Sequence, residues 1–314
     1  MEVKAAEFND LPEMISLLKK SLGEGLIPKS EAYFKWKHEL NPFGKSKILI
    51  AKEDGKIVGL RAFMKWKWKD GNETITAVRA VDTATDPAFQ GKGIFKKLTL
   101  QAVEECKAEG CGLVFNSPNE NSRPGYLKMG WEDEGRMPLL IKVGSLIPSF
   151  YSEEKAEEIY FQFSVKREFE KLNDNYIFPE SNKQIYTPLS TDYLKWRFED
   201  CPIVNYGAII ENDFGIVFRL KRINKFVELR ICEIWEKDSG ANKKLKKALR
   251  KIIGAANPIM VSCAPSPLIT GKIGFFGPFL KGPITTTRPL AITSLEKFKN
   301  FKSWQPSIGS MELF

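Results

Sequence analysis

The sequence predicts an α/β (α+β) fold: two similar domains, each a mixed, mostly antiparallel sheet flanked by helices. Three observations carry this expectation. The 314 residues exceed one typical core and suit two domains. Hydrophobic periodicity over the first 145 residues gives the order β-α-α-β-β-β-loop-α-β-α-β-β. The second half then repeats segments of the first in order and register.

Each element has a local reason. VKAAEF reads as a short strand. Asp10 is placed to cap LPEMISLLKKSLG, whose Leu11, Met14, Leu17 and Leu18 share one helix face before Gly23. Ser30 caps EAYFKWKHEL, which Asn41-Pro42 stops. KILIAKEDGKIVGLRAFMKWKW is a hairpin turning at Asp54-Gly55, and ETITAVRAVDTAT is the next strand. Asp86-Pro87 and a glycine loop lead into a helix reaching about Glu109. CGLVFNS is an apolar strand, RPGYLKMG a helix ending at Gly130, and WEDEGRMPLLIKV the closing strands.

The repeat is explicit. SEAYFKWKHELNP at Ser30 matches STDYLKWRFEDCP at Ser190, with Ser, Tyr, Lys, Trp, Glu and Pro at one constant offset that also sets Gly55 against Gly215. A second constant offset aligns KKLTLQAVEE with KKLKKALRKI, CGLVFNSP with PIMVSCAP, and YLKMGW with IGFFGP. The expected divisions are residues 1–145, a connecting segment 146–180 containing the polar helix SEEKAEEIYFQF, and a second copy at 181–314. The copies differ where chemistry would sit. Gln90-Gly91-Lys92-Gly93 faces Lys237-Asp238-Ser239-Gly240, Tyr126 faces Ile273, and Asn116 faces Cys263. The second copy is therefore expected to have lost ligand binding at this loop, since Asp238 would oppose a phosphate.

Composition narrows the function. No run of about twenty apolar residues occurs, so no membrane span is expected. The start MEVKAAEFNDLPEM lacks a basic-then-apolar signal, and a cytoplasmic location follows as the expectation. The cysteines (Cys106, Cys111, Cys201, Cys232 and Cys263) form no CxxC, and His38 is the one histidine. That disfavours a zinc site and a Ser-His or Cys-His nucleophile; no metal is expected. The net charge of +9 suits phosphorylated ligands, nucleic acid or anionic membranes alike. Lys243, Lys244, Lys246, Lys247, Arg250 and Lys251 read as one solvated helix face, and no nucleic-acid motif accompanies them.

The stretch DPAFQGKGIFKKL sets Gly-Lys-Gly where a strand hands over to a helix. Glycines there let backbone N–H groups approach a phosphate, and a helix start carries partial positive charge. The pattern is neither a Walker loop nor a dinucleotide GxGxxG. It resembles the acyl-CoA signature Q/R-x-x-G-x-G/A of the GNAT superfamily of N-acyltransferases. NSPNENSRPGYLKMGW resembles that superfamily's second motif, a Tyr preceding a Gly-aromatic pair. Phe95 stands where the signature ends on a small residue; it either narrows the groove or packs inward.

The resemblance implies direct acyl transfer from acetyl-CoA or another acyl-CoA to an amine, in a ternary complex. Backbone N–H groups of Gly91, Lys92, Gly93, Ile94 and Phe95, after Gln90, would hold the pyrophosphate. Backbone atoms of Ala84 and Thr85 would pair with the pantetheine arm. Tyr126 matches the tyrosine that protonates the departing thiolate; its other reading is a core aromatic. Asp82 is the foremost candidate to accept the amine proton, with Glu73 and Glu120 as rivals, and alternation sets Arg79 on the opposite face from Asp82. Asn116 and Asn119 either bind substrate or cap the next helix. His38, matched by Phe198, reads as packing.

Three functions stay open. The first is an N-acyltransferase acting on a small-molecule amine: an amino sugar, amino acid or peptide. The second is an aminoacyl-tRNA-dependent transferase of the paired-GNAT type, to which the positive charge would suit tRNA. The third is a non-catalytic coenzyme-binding module.

Overall fold

The computed structural model describes every residue except 24, 26, 174–175, 181–183, 238–241, 267, 270–273 and 312–314. The chain forms two compact units. The first comprises Met1–Gly135 and Ile284–Asn300; the second comprises Arg136–Pro283 and the stretch that begins at Phe301. Each unit is thus discontinuous in sequence, where the sequence suggests linear boundaries at 145 and 180.

In chain order the first unit opens with β1 (Glu2–Ala5), α1 (Leu11–Leu22) and α2 (Glu31–His38). β2 (Lys47–Glu53), β3 (Lys56–Asp70) and β4 (Glu73–Thr85) follow, then α3 (Ile94–Ala108), β5 (Leu113–Asn116) and α4 (Arg123–Lys128). β6 (Glu132–Val143) passes into the second unit, as one strand rather than the closing strands expected. There follow α5 (Glu153–Gln162), α6 (Val165–Phe169), β7 (Ile185–Tyr186), α7 (Thr191–Leu194), β8 (Gly207–Ile210), β9 (Phe214–Ile223) and β10 (Phe226–Glu236). α8 (Asn242–Ala256), β11 (Met260–Cys263), β12 (Phe276–Pro289) and α9 (Ile308–Met311) complete the chain.

The sheet of the first unit runs β1-β2-β3-β4-β5-β12. Only β4–β5 is parallel in that run; β12 reaches β5 from far along the chain, pairing Thr286 with Asn116. Ile94, Leu98, Ala102 and Val103 of α3 pack on one face with Phe63, Val78 and Ala80, and Tyr126 of α4 joins them. Leu11, Met14, Leu17 and Leu18 of α1 cover the other face with Leu60 and Ala84. Three glycines explain the fit. Gly55 turns the β2–β3 hairpin at φ +77 beside Asp54 at φ +48, the positive angles a two-residue type I′ turn requires. A Cβ on Gly59 would come within 2.5 Å of Ile94 Cγ2, so α3 lies where only glycine allows it. A Cβ on Gly125 would press on the Phe95 ring at 3.1 Å, a tight contact that glycine avoids.

Ser30 caps α2, accepting from the Tyr33 N–H at 3.2 Å. Asp10 does not cap α1. Its carboxylate accepts instead from the Glu7 N–H at 2.9 Å and from Lys52 at 2.8 Å.

In the second unit β11 pairs with β6 and β10, and β10 and β9 continue to β8. Its core gathers Leu229, Ile231, Leu249, Ile252 and Val261. The lysines of α8 lie on its outer side, Lys243, Lys244 and Lys247 exposed.

Candidate active site

The site begins with an irregular strand. β4 pairs with β5 through Ala77, Val78 and Arg79 only, and stays on β3 as far as Thr85 opposite Gly59. The β4 edge from Ala80 to Thr85 therefore opens away from β5. The β3 register shifts within this stretch: Phe63 faces Ala80, yet Arg61 faces Thr83. One extra β4 residue is accommodated, a β-bulge. Facing residues of an antiparallel pair point the same way, so Ala80 and Thr83 share a face. Arg79 and Asp82 then share the other. Plain alternation expects Arg79 and Asp82 on opposite faces, and the bulge reverses that.

Beyond the open edge, Asp86 accepts from the Ala88 N–H at 3.0 Å and starts a single turn at Pro87–Phe89. Lys20 pairs with Asp86 at 2.8 Å and the Ser21 hydroxyl donates to Thr85 O at 3.1 Å, which fixes the strand end. Gly91 and Gly93 follow at φ +78 and +76. A Cβ on either would meet nothing within 4 Å. The glycines supply left-handed backbone and leave open space over the loop. Gly93 is the N-cap of α3 without a side-chain cap, so the first-turn N–H groups have no partner within the helix. Gln90 and Lys92 are exposed, and the Lys92 ammonium rests 4.4 Å from the Phe89 ring. This helix start can hold an anion, and the open β4 edge can pair with an extended polar chain. The residues fit a pyrophosphate followed by a pantetheine arm.

Phe95 packs inward, edge-on to Tyr126 with ring centres 5.6 Å apart. Tyr126 is itself buried and also touches Trp131 at 5.1 Å. Sequence reasoning missed the third member. Arg61 is fully buried. Its guanidinium lies 4.8, 5.3 and 5.8 Å from the rings of Phe63, Tyr126 and Phe95. None of its three nitrogens has a hydrogen-bond partner among the described residues. A buried cation without an acceptor is costly, and cation–π contacts offset only part of that. A basic residue inside the apolar run KIVGLRAFM was the available signal.

Asp82 is not a lone carboxylate. Lys37 Nζ and His38 Nε2 each lie 2.8 Å from its Oδ2. Burial alone would raise the Asp82 carboxyl, but Lys37 and His38 outweigh it and hold it far below the usual range. Burial also pushes the His38 imidazole down, aided by Lys37. A neutral ring next to a carboxylate must donate from Nε2, so Nδ1 accepts the Ser46 hydroxyl at 2.8 Å. His38 is thus a polar link rather than simple packing. Asp82 and Tyr126 attach to opposite faces of the sheet, with α2 and α3 respectively.

The other candidates resolve locally. Asn116 is buried and accepts from Thr286 Oγ1 at 2.6 Å. Asn119 accepts from the Ser122 N–H at 2.8 Å and so shapes the entry to α4. Ala84 is buried, Thr85 is half-buried, and Glu73 and Glu120 are exposed. The second-copy counterparts Asp238, Ser239, Gly240 and Ile273 lie outside the described residues. No group of three or more metal-ligating side chains occurs among the described residues, and all five cysteines are free and buried.

The chain resembles known proteins. Residues 2–133 match the family model described as an acetyltransferase (GNAT) domain. Glucosamine 6-phosphate N-acetyltransferase of Trypanosoma brucei brucei is 28% identical over 92 residues, 29% of this chain and 61% of that protein. The chain thus spans less than two thirds of that relative's length. Two solved structures follow nearly the whole chain. A probable N-acyltransferase of Enterococcus faecalis V583, titled a conserved protein of unknown function, has a TM-score of 0.64 at 11% identity, covering 94% of this chain and 74% of that one. A GCN5-related N-acetyltransferase of Anabaena variabilis has a TM-score of 0.61 at 12% identity, covering 92% and 73%. The fold is accordingly that of these proteins: a mixed, largely antiparallel sheet flanked by helices. The matched domain model and the matched relative are both named for acetyl transfer. Among the described residues, no helix is long and apolar enough to cross a membrane.

Proposed function

We propose that the protein is an N-acyltransferase that moves an acyl group, acetyl foremost, from acyl-CoA directly to a primary amine. The observation that carries this reading is the glycine loop: left-handed Gly91 and Gly93, with open space above them, start α3 at the end of a bulged strand that leaves its neighbour. The backbone N–H groups from Gly91 to Phe95 hold the pyrophosphate. Backbone atoms of Ala84 and Thr85 pair with the pantetheine along the open edge.

In the transfer, the amine nitrogen bonds the thioester carbonyl carbon and the carbon–sulfur bond breaks. Tyr126 gives its proton to the departing sulfur. Arg61, otherwise unpaired, meets the negative charge that develops beside Tyr126. Asp82 is already paired with buried Lys37 and lies on the sheet face opposite Tyr126. Its depressed basicity makes it a poor proton acceptor, so the amine proton leaves through water.

The acceptor is a small amine: an amino sugar, amino acid or peptide. The relative that acts on glucosamine 6-phosphate puts the amino sugar first. The second unit reads as a degenerate copy. In support, β11 (Met260–Cys263) falls at the same offset from β5 (Leu113–Asn116) as the sequence repeat, and β10 has its own register shift between Ile231 and Glu233.

Calorimetric titration with acetyl-CoA tests the reading, with a Gly91→Glu/Gly93→Glu variant beside the parent. Micromolar binding, about −8 kcal/mol, that disappears in the variant is the expected result. Absence of binding to the parent would overturn it. Free-thiol release with glucosamine 6-phosphate, amino acids and peptides then ranks the acceptors.

A further inference from the structure

β10 and β11 of the second unit run parallel only as far as Ile231 opposite Cys263. Past that point β10 shifts register and continues on β9 to Glu236. The wedge between them holds a cavity of about 260 Å³, smaller than the roughly 300–1,000 Å³ of drug-sized sites. Its walls are mostly apolar, with Ile231, Trp235, Leu268 and Pro306 among them. The charged side chains lining it, among the described residues, are all carboxylates: Glu180, Glu233 and Glu236. That is unexpected in a chain with net charge +9. They do not gather into a set that could hold a metal ion. Glu233 is buried and accepts the Ser307 hydroxyl.

We propose that this cavity binds a small organic cation: a primary ammonium or guanidinium on a compact apolar body, its charge on Glu233 and its body against Trp235. Cation and carboxylate neutralise each other where either alone would be costly, and the indole face adds a cation–π contact. The inference does not rest on acyl transfer in the first unit.

Binding is linked to a proton. Burial pushes the Glu233 carboxyl up to about 8, with Arg197 pulling the other way. The remaining titratable groups at the cavity are Glu180 and Tyr186, Cys232 and Glu236 of β10, and Cys263 of β11. Burial raises the Cys263 thiol, so it stays neutral. Near neutral pH a cation must therefore displace a proton from Glu233, and affinity rises with pH up to about 8.

Calorimetry with phenethylamine and agmatine, against the neutral 2-phenylethanol, tests this on the full chain without acyl-CoA. We expect one amine per chain, binding at least about tenfold tighter than the alcohol, a difference of about 1.4 kcal/mol. Titrations in buffers of different ionisation enthalpy should show release of about one proton at neutral pH. Glu233→Gln should weaken amine binding at least about tenfold and abolish the proton release. Ala264→Phe, which fills the cavity without changing charge, should also abolish binding and serves if Glu233→Gln does not fold. Equal binding of amine and alcohol, or unchanged amine affinity in a folded Glu233→Gln, would overturn the proposal. So would amine binding that Asp82→Asn removes and Glu233→Gln does not, because it then belongs to the first unit. Absence of amine binding at millimolar concentration would overturn it as well.

Discussion

The Arg61 guanidinium lies 5.3 Å from the centre of the Tyr126 ring, with both side chains buried. Arg61 sits on β3 and Tyr126 on α4, so a strand and a helix far apart in sequence place a cation against a phenol. No acceptor within the described residues takes the guanidinium's hydrogens. In an acyl transfer the group that would take them is the sulfur or oxygen that gains charge.

Arg61→Met should therefore separate catalysis from stability. Replacing an unpaired buried charge by an apolar chain is neutral or stabilising, so the melting temperature should hold or rise. Removing a donor aimed at developing charge costs about 10²-fold in kcat. A variant that melts far below the parent would make Arg61 a packing residue instead.

Tyr126→Phe keeps the ring contacts with Phe95 and Trp131 and removes only the hydroxyl. Loss of a general acid should lower kcat by about 10²–10⁴-fold, with acetyl-CoA affinity retained. A thioester with a more acidic thiol, which leaves without help, should recover much of the rate. Unchanged kcat in the variant would remove Tyr126 from the chemistry.

How legible this was differs by element. Ser30, Asp54-Gly55 and the Gly91/Gly93 loop could be read because each solves a local problem: a free N–H, a tight turn, a positive φ. The β4 bulge could not be read, because alternation assumes one residue per step, and only the pairing with β3 shows the extra one. Arg61 was hidden for a related reason. A basic residue in an apolar strand is usually a solvated side chain, and its burial depends on α3 and α4 closing over it. The partners of Asp82 lie on α2, 45 and 44 residues earlier in sequence, so a carboxylate that looked free proves to be shared. The final strand of the first unit comes from Ile284 onward, a non-local pairing that no periodicity reports.

The Asp82 cluster makes the first unit acid-sensitive. A carboxylate with a lowered folded pKa contributes stability above its unfolded value, about 3.9, and loses it as pH falls through the folded value. His38 is also lowered: the unfolded chain takes up a proton below about 6.5 while the folded ring stays neutral. Both effects reduce stability on acidification, His38 first. Denaturant midpoints should fall as pH drops below about 6.5, and His38→Phe should flatten that upper limb. Asp82→Asn should cost about 3–5 kcal/mol at neutral pH by stranding buried Lys37. Parallel midpoint–pH curves for parent and His38→Phe would refute the neutral histidine.

Glu233 acts in the opposite direction. Its folded value is raised to about 8, whereas an unfolded glutamate titrates near 4.3. Its stabilising contribution is full below the unfolded value and is lost as pH rises through the folded one. The loss from this one group reaches at most about 5 kcal/mol at alkaline pH. Glu233→Gln cannot ionise, so it should melt above the parent at about pH 8.5, and the gap should close near pH 5. Phenethylamine brings a cation into direct contact with the ionised carboxylate, so it should raise the parent's melting temperature at the alkaline end and leave Glu233→Gln unmoved. A constant gap between the two proteins across pH would mean that Glu233 is already paired when folded, and the cavity would lose the anion on which its selectivity rests.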